Sequence, residues 1–444
     1  MRKPAIPSFF KRIQPKGKIR GWLSLSPLLL FILLYLTSSL LAHDFYRISI
    51  TAIFALTAVY SILLNRLYEP MEKTISVFSD GAGNQNVLQM IWIFVLAGAF
   101  AATAKGLGAI DATVNLTLSL LPSRFLLIGL FLAACFISFS IGTSVGTIVA
   151  LVPITTAIAE GQPELSAAML TACIVGGAFF GDNLSFISDT TIAATQSQGC
   201  SMRDKFRVNL LIALPAALLV AALYLWIGHT AEPINSTAVS GHAILVLPYL
   251  LIILLGIIGV NVVTVLTIGI LTNGIFGWVT HTMGWVEWLS SIGNGIQQMG
   301  ELIIVTMLAG GILEIIRYNG GLQFIIDRLS NRISTKRGAE LAIAAIVSFA
   351  NLCTANNTIA IISVAPIAKD ITKRFSLDPR KTASILDTFS CLVQGIIPYG
   401  AQLLMAAALA DVSSFDIIPH LYYPFVLGLT ALFCILCRLP RRYS

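Results

Sequence analysis

Two carboxylates stand in an otherwise apolar part of the chain. Asp182 and Asp189 belong to the segment GDNLSFISDTT at 181–191, which also contributes an amide and several hydroxyls. An Asp in the middle of a membrane costs about 2.5 to 3.5 kcal/mol on insertion scales, so such residues normally face a functional cavity. Carboxylate, amide and hydroxyl oxygens suit hard cations, and a carboxylate also carries a proton. The segment therefore predicts a site for a cation, a proton or both.

Three further polar segments interrupt apolar stretches: GTSVGT at 142–147, CTANNT at 353–358 and QGIIPYGAQ at 394–402. A helix broken in hydrocarbon exposes N–H and C=O groups that need partners, and Gly and Pro favour such breaks. The carbonyl ends of half-helices favour positive charge. We expect the four breaks to build one cation site. For each hydroxyl taken singly, the alternative of packing and interhelical hydrogen bonding stays open.

The elements that position these residues are membrane helices. The 444-residue chain is 56% hydrophobic and 11% charged, and apolar runs of about 18 to 25 residues recur along it, as in a polytopic membrane protein. The runs do not alternate, which excludes a barrel. We predict an all-α polytopic membrane protein with about ten transmembrane helices. Two interrupted segments, 124–158 and 340–368, are expected to be re-entrant hairpins.

Basic residues are distributed asymmetrically on this topology. All Lys and Arg except Arg47, Lys105 and Arg124 fall on one side, and Lys205 is counted there, in a loop before a span at 208–228. The positive-inside rule makes that side cytoplasmic, with both termini inside a cell inner (plasma) membrane. The net charge of +7 therefore does not indicate nucleic-acid binding, which needs a basic soluble face. The apolar run that follows the basic N-terminus is read as an uncleaved first helix.

The chain repeats itself at a displacement of 212 residues. Met71 aligns with Met283, and Leu96-Ala97-Gly98 aligns with Leu308-Ala309-Gly310. The first repeat begins inside and the second begins outside, so the repeats have inverted topology, which is typical of transporters with a midplane site. Asp387 lies in the matching helix of the second half, where an ion role and a structural hydrogen bond both stay open. The predicted divisions are a cytoplasmic segment 1–23, a first repeat 24–228, an external linker 229–241, a second repeat 242–438 and a cytoplasmic tail 439–444.

The motifs resemble those of NhaC-type sodium/proton antiporters, a family of the ion-transporter superfamily whose members include malate/lactate sodium antiporters. The likeness extends from about residue 48 and is strongest in the G-D-x-x-S-x-x-S-D-T-T string at 181–191. It implies that hairpin tips and broken helices form the sodium and substrate sites. By that likeness, the site includes Thr143, Ser144 and Thr147 with Asp182, Asn183 and Ser185, and on the other side Asn356, Asn357 and Thr358. To these we add Asp189, Thr190 and Asp387.

The function expected from these residues is exchange of Na+ for H+ by alternating access, with no enzymatic activity and no cofactor. Na+ is the transported ion, and its predicted ligands are Asp182, Asn183, Ser185 and Asp189. A carboxylate must be ionised to bind Na+ and can hold a proton once Na+ leaves, which couples the two flows. The lipid bilayer is the expected surroundings, and a homodimer is a possible assembly.

Other functions fit the residues less well. A sodium-coupled carrier of a small organic solute, such as a carboxylate or an amino acid, stays open, with half-helix N-termini or the two Asn residues facing the anion. An intramembrane aspartyl protease would need Gly where Phe179 stands and Tyr where Leu386 stands. No Walker-type phosphate loop is present, which argues against direct coupling to ATP.

Overall fold

The computed structural model describes residues 17, 19, 21–42, 49–120, 122–161, 165–186, 188–229, 243–258, 260–330 and 333–443. Regular structure within these ranges is helical throughout, which confirms the predicted all-α class. The first half contains α1 (Ser26–Ala42), α2 (Ile50–Arg66), α3 (Met71–Ala82), α4 (Gln85–Leu107), α5 (Ala109–Leu120), α6 (Leu126–Ile141), α7 (Ser144–Leu151), α8 (Pro153–Gly161), α9 (Ala167–Leu184), α10 (Asp189–Gln198) and α11 (Met202–Gly228).

The second half contains α12 (Leu247–Ile257), α13 (Val262–Val279), α14 (Trp285–Gln298), α15 (Gly300–Tyr318), α16 (Gly321–Ser330), α17 (Lys336–Thr354), α18 (Asn357–Arg374), α19 (Pro379–Ile396), α20 (Ala401–Ala410), α21 (Ser414–Ile417) and α22 (Tyr422–Leu436). Short 3-10 turns precede α1, α6 and α12 and follow α21 and α22. Most of the predicted segment 1–23 and nearly all of the predicted linker 229–241 lie outside the described residues.

Seven helices of the described part are long and apolar enough to cross a membrane, or eight if the bent pair at Ser414–Leu436 is one span. The second arms of the two predicted hairpins, α7 with α8 in the first and α18 in the second, are not among these spans. The first arm of the second hairpin, α17, is one of them. The chain is thus a multi-pass helical membrane protein, and the count of about ten spans stays a prediction.

All four polar segments separate two helices, as predicted. They divide α6 from α7, α9 from α10, α17 from α18 and α19 from α20. Gly142 (φ +76°) and Ala355 (φ +47°) turn the chain at the first and third breaks. The broken spans Ala167–Gln198 and Pro379–Ala410 have apolar windows that are 88% and 78% buried, against 33% for α13. The breaks therefore lie inside the protein and away from the lipid.

The helices recur at the displacement found in the sequence. The starts of α13, α19 and α20 follow those of α2, α9 and α10 by 212 residues (262 − 50, 379 − 167 and 401 − 189). The opposite orientation of the two halves stays a prediction.

Glycines join the two halves through close backbone contacts. Between α3 and α15, a Cβ at Gly81 would overlap the backbone oxygen of Gly310. Between α4 and α14, a Cβ at Gly98 would overlap the backbone oxygen of Gly295, and a Cβ at Gly295 would overlap that of Gly98. Small residues at such crossings allow membrane helices to pack backbone against backbone.

Candidate functional site

Asp182 lies in the last turn of α9 and is only 5% exposed. Ser144 Oγ, in the first turn of α7, donates a hydrogen bond to Asp182 Oδ2 over 2.8 Å. Ser188 Oγ, at the N-cap of α10, donates to Asp182 Oδ1 over 2.5 Å. A hydroxyl that donates to a carboxylate keeps lone pairs for a further partner. Two hydroxyls from the starts of α7 and α10 thus meet at the Asp182 carboxylate at the end of α9.

A path of hydrogen bonds links this carboxylate to the breaks of the second half. Gln402 Nε2, in α20, donates to Ser144 Oγ over 3.2 Å. Gln394 Nε2, near the end of α19, donates to Gln402 Oε1 (2.8 Å) and to the backbone oxygen of Ala355 (3.1 Å). The four breaks that the sequence predicted are therefore connected by one chain of side-chain contacts that ends at Asp182.

A cavity of about 1060 Å³ reaches this point. Its wall contains the tips of both hairpins and the start of α10, with Asp182, Ser188, Asp189 and Gln402. Asp189 is the first residue of α10, and its side chain is exposed toward the cavity. Two carboxylates therefore share one compartment, Asp182 enclosed by hydroxyls and Asp189 open to the cavity. Such a pair attracts cations.

The cavity follows one face of α18 for the whole length of that helix. Thr358, Ile362, Pro366, Asp370 and Arg374 line it at steps of four residues, which places them on one side of an α-helix. The cavity thus extends from the break at the second hairpin tip to the last turn of α18. That end carries the basic residues that the positive-inside rule assigns to the cytoplasm.

A second polar centre lies beside the first and carries a lysine. Lys205, in the first turn of α11, is 1% exposed. Its Nζ donates to the backbone oxygen of Asn183 (2.6 Å), to Thr191 Oγ1 (2.9 Å) and to Asp387 Oδ2. Asp387 is fully buried, so this ion pair has no access to water. The Asp387 carboxylate is compensated by a charge that belongs to the chain.

Asn209, one turn further along α11, connects α9, α11 and α19 by hydrogen bonds beside this centre. Its Nδ2 donates to the backbone oxygen and to Oδ1 of Asn183, over 2.8 and 2.5 Å. Its Oδ1 accepts hydrogen bonds from Ser384 (2.6 Å) and Thr388 (2.9 Å) of α19. A single buried amide thereby holds the broken end of α9 against α11 and α19.

The structure brings most of the predicted site residues to the cavity wall. Those that line it are Thr143, Ser144, Asp182, Asp189, Thr190, Asn356, Asn357 and Thr358. Asn356 accepts a hydrogen bond from Ile359 N and caps α18, and Asn357 Oδ1 accepts one from Thr358 N. Both amides thus support the start of α18 at the cavity.

Four predicted residues do not line the cavity: Thr147, Asn183, Ser185 and Asp387. Thr147 Oγ1 donates to the backbone oxygen of Thr143 in its own helix, and Ser185 N–H bonds to Gly181 O at the end of α9. Asn183 faces Asn209, and Asp387 faces Lys205.

Sequence reasoning missed Lys205, which the structure places inside the protein and not in a cytoplasmic loop. The predicted span began at residue 208, whereas α11 begins at Met202 with Ser201 as its N-cap, whose Oγ accepts from Asp204 N. Ser-x-x-Asp is a helix-start signal. Had it been used, Lys205 and Asn209 would have stood four residues apart on one helical face beside the second polar segment.

The oxygen ligands around Asp182 suit a hard monovalent cation and a proton. Among the described residues, no three His, Cys, Asp or Glu side chains are grouped to hold a metal ion. Buried carboxylates at helix breaks beside a cavity are typical of membrane transporters that bind ions near the midplane.

The chain belongs to the Na+/H+ antiporter family, whose model matches residues 19–229 and 231–439. Its relatives include a Na(+)/H(+) antiporter NhaC of Alkalihalophilus pseudofirmus, 25% identical over 76% of this chain and 80% of the relative. A malate-2H(+)/Na(+)-lactate antiporter of Bacillus subtilis is 24% identical over 79% of this chain and 82% of the relative. The NhaC resemblance predicted from the motifs is confirmed.

Among solved structures, the chain is similar to the YdaH transporter of Alcanivorax borkumensis, with 12% identity and a TM-score of 0.44 over 88% of this chain and 98% of that one. A score of this size does not establish a shared fold, and the family assignment rests on sequence.

Proposed function

We propose that this protein exchanges Na+ for H+ across the cell inner membrane, with Asp182 as the group that binds either ion in turn. The observation that carries this proposal is the surroundings of Asp182. Its carboxylate is buried at a helix break, both oxygens accept from hydroxyls, and a wide cavity reaches it. The family to which the chain belongs supports the same function.

Competition at one carboxylate couples the two flows. Ionised Asp182 binds Na+ with Ser144 Oγ and Ser188 Oγ as neutral ligands, and Asp189 attracts the ion into the cavity. When Na+ leaves, a proton neutralises the carboxylate, and the loaded site is again without net charge. Alternating access then requires only that the site reach one side at a time.

In this structure the cavity leads from Asp182 along α18 toward Arg374. We assign that end to the cytoplasm, with both termini on the same side, from the distribution of Lys and Arg. The structure is then the inward-open state of the exchange cycle.

Exchange in liposomes tests the proposal. Purified protein is reconstituted with a pH gradient, and a trapped pH dye is followed on addition of Na+, Li+ or K+. We expect Asp182→Asn to abolish Na+-driven proton movement, because the amide neither titrates nor supplies a charge. For Asp189→Asn we expect about a tenfold higher Na+ requirement, equivalent to about 1.4 kcal/mol.

Asp80→Asn is the matched control, because Asp80 is an exposed carboxylate of α3 that does not line the cavity. Its exchange rate should equal that of the unmodified protein. Unchanged exchange in the Asp182→Asn variant would contradict the proposal.

A second candidate function is exchange or co-transport of a small organic anion. The observation in its favour is the size of the cavity, about 1060 Å³ with Arg317 and Arg374 in its wall, because bare ions need far less room and pockets for small molecules span about 300 to 1,000 Å³. The malate-2H(+)/Na(+)-lactate antiporter among the relatives points the same way. Uptake of labelled carboxylates and amino acids, with and without a Na+ gradient, separates the two functions.

A further inference from the structure

The ammonium of Lys205 fills a pocket made of oxygen atoms. A Lys side chain has three N–H donors, and here the three acceptors are the Asn183 backbone oxygen, Thr191 Oγ1 and Asp387 Oδ2. They come from the end of α9, from α10 and from α19. The pocket is closed, because Lys205 is 1% exposed and Asp387 is 0% exposed.

These acceptors are of the same kinds that bind alkali cations. Asn183 lies in the last turn of α9, where the backbone oxygens lack the helical partners that a continued helix would supply and form its negative end. A hydroxyl and a carboxylate complete the pocket, as they do around Asp182. Two centres of similar chemistry thus adjoin the break that ends α9, and only the one at Asp182 opens to the cavity.

We propose that the Lys205 ammonium is a built-in cation that occupies a second Na+ site, formed by Asn183 O, Thr191 Oγ1 and Asp387. The protein therefore binds one Na+ where its oxygen ligands provide for two, and Asp387 carries neither Na+ nor a proton during exchange. This inference rests on the proposed function only in treating Asp182 as the site of the one bound Na+.

Removal of the Lys205 ammonium group makes the second site available to Na+. In Lys205→Ala the Asp387 carboxylate loses its buried partner, which is strongly unfavourable unless another cation enters. The shortened side chain also leaves room for that cation. We expect the unmodified protein to bind one 22Na+ per chain in nanodiscs, Lys205→Ala to bind two, and Lys205→Ala/Asp387→Asn to bind one again. A count of one for Lys205→Ala with Asp387 intact would overturn the inference.

Thermal unfolding covers the case in which Lys205→Ala is too unstable for a binding assay. The same variant is then melted in NaCl and in choline chloride at equal ionic strength. We expect Na+ to restore much of the lost stability, and the added Asp387→Asn change to reduce the Na+ dependence to that of the unmodified protein, which binds Na+ at Asp182. If Na+ raises the melting temperature of Lys205→Ala no more than that of the unmodified protein, the pocket is not a Na+ site.

Lys381→Ala is the control for loss of a buried lysine, because Lys381 is also 1% exposed and pairs with Glu340 over 3.0 Å at the starts of α19 and α17. It should lose stability and gain no Na+.

The Asp182→Asn variant separates the two proposals. Its Na+ count of zero is expected from the proposed function, whereas Lys205→Ala/Asp182→Asn should still bind one Na+ at Asp387. A count of zero in that double variant would contradict the second site alone.

Discussion

Asp182 and Asp387 are the same residue type in two different electrostatic surroundings. Among the described residues, the Asp182 carboxylate accepts from the neutral hydroxyls of Ser144 and Ser188, so a mobile cation or proton must balance its charge. The Asp387 carboxylate is balanced by Lys205. Buried charges persist only when they are paired or neutralised. The partner, not the acid, therefore decides which aspartate exchanges its counter-ion.

The hydrogen bonds of Asn209 predict that this residue contributes to the stability of the protein. Asn209→Leu leaves Ser384, Thr388 and the Asn183 oxygens without this partner. Unsatisfied buried polar groups cost about 1 to 3 kcal/mol, so we expect a loss of about 2 kcal/mol or more in detergent or lipid unfolding experiments. Ser384→Ala removes one of these bonds and should cost about 0.6 kcal/mol, the average for hydrogen bonds between membrane helices. Equal losses in the two variants would mean that Asn209 is not the organising residue.

The sequence predicts the chemistry of single residues better than the direction in which they face. The insertion cost of an aspartate indicated Asp182 and Asp189, and both line the cavity. Asn183 follows Asp182 directly, so the two side chains leave α9 about 100° apart and cannot share one ligand position easily. Family likeness placed both in the site, whereas helix geometry turns Asn183 toward Asn209. The direction in which a side chain faces depends on how its helix is rotated against the neighbouring helices. A local motif carries no information about that rotation.

At the scale of elements, the breaks were predictable because their cause is local. Glycine, proline and short polar residues replace the apolar pattern at each break, and the helices end there. Hydropathy predicts too late a start for α11, because the basic residues of its first turns resemble a loop. Membrane hydropathy describes the apolar part of a helix, while this helix begins with a capped polar turn. Capping signals and hydropathy have to be read together.

The crossing of α4 and α14 predicts the effect of single methyl groups. In Gly295→Ala the added Cβ overlaps the backbone of Gly98, which forces the helices apart. We expect a loss of about 1 to 3 kcal/mol, as for overpacked cores, measured by unfolding in detergent. Gly293→Ala lies in the same helix with nothing within 4 Å of its Cβ, so it should be neutral or slightly stabilising. Equal destabilisation by both changes would rule out a specific contact at Gly295.

At the scale of the whole molecule, the cavity gives the direction of access. Ser363 lines it and is half-buried, whereas Ala365 of the same helix is 2% exposed. Cysteine is introduced at each position in a Cys437→Ser background, because Cys437 is the exposed cysteine of the described residues. We expect a membrane-impermeant maleimide to modify Ser363→Cys from the cytoplasmic side and to leave Ala365→Cys unmodified. Modification of Ser363→Cys from outside only would contradict the inward-open assignment.

The sequence contains the repeat, yet it does not contain this asymmetry. In two similar halves of predicted inverted topology, either half can adopt the conformation that opens the site to its own side. No local sequence feature therefore decides which side is open. The cavity results from how the halves pack together, which is a property of the assembled helices. Composition and spacing predicted the class, the resemblance to NhaC-type antiporters implied most of the residues that line the cavity, and the open side required the structure.

The shape of the cavity also determines where the membrane voltage acts. An aqueous passage that reaches Asp182 holds the site at the electrical potential of one compartment. The membrane field is therefore concentrated across the layer of protein between Asp182 and the opposite compartment. Moving one charge through the full voltage costs about 2.3 kcal/mol per 100 mV. Lys205 and Asp387 move as a neutral pair, and the field does little work on them. Asp182 loaded with either Na+ or H+ is likewise neutral, so one-for-one exchange moves no net charge through that layer, and the Na+ and pH gradients supply the driving force.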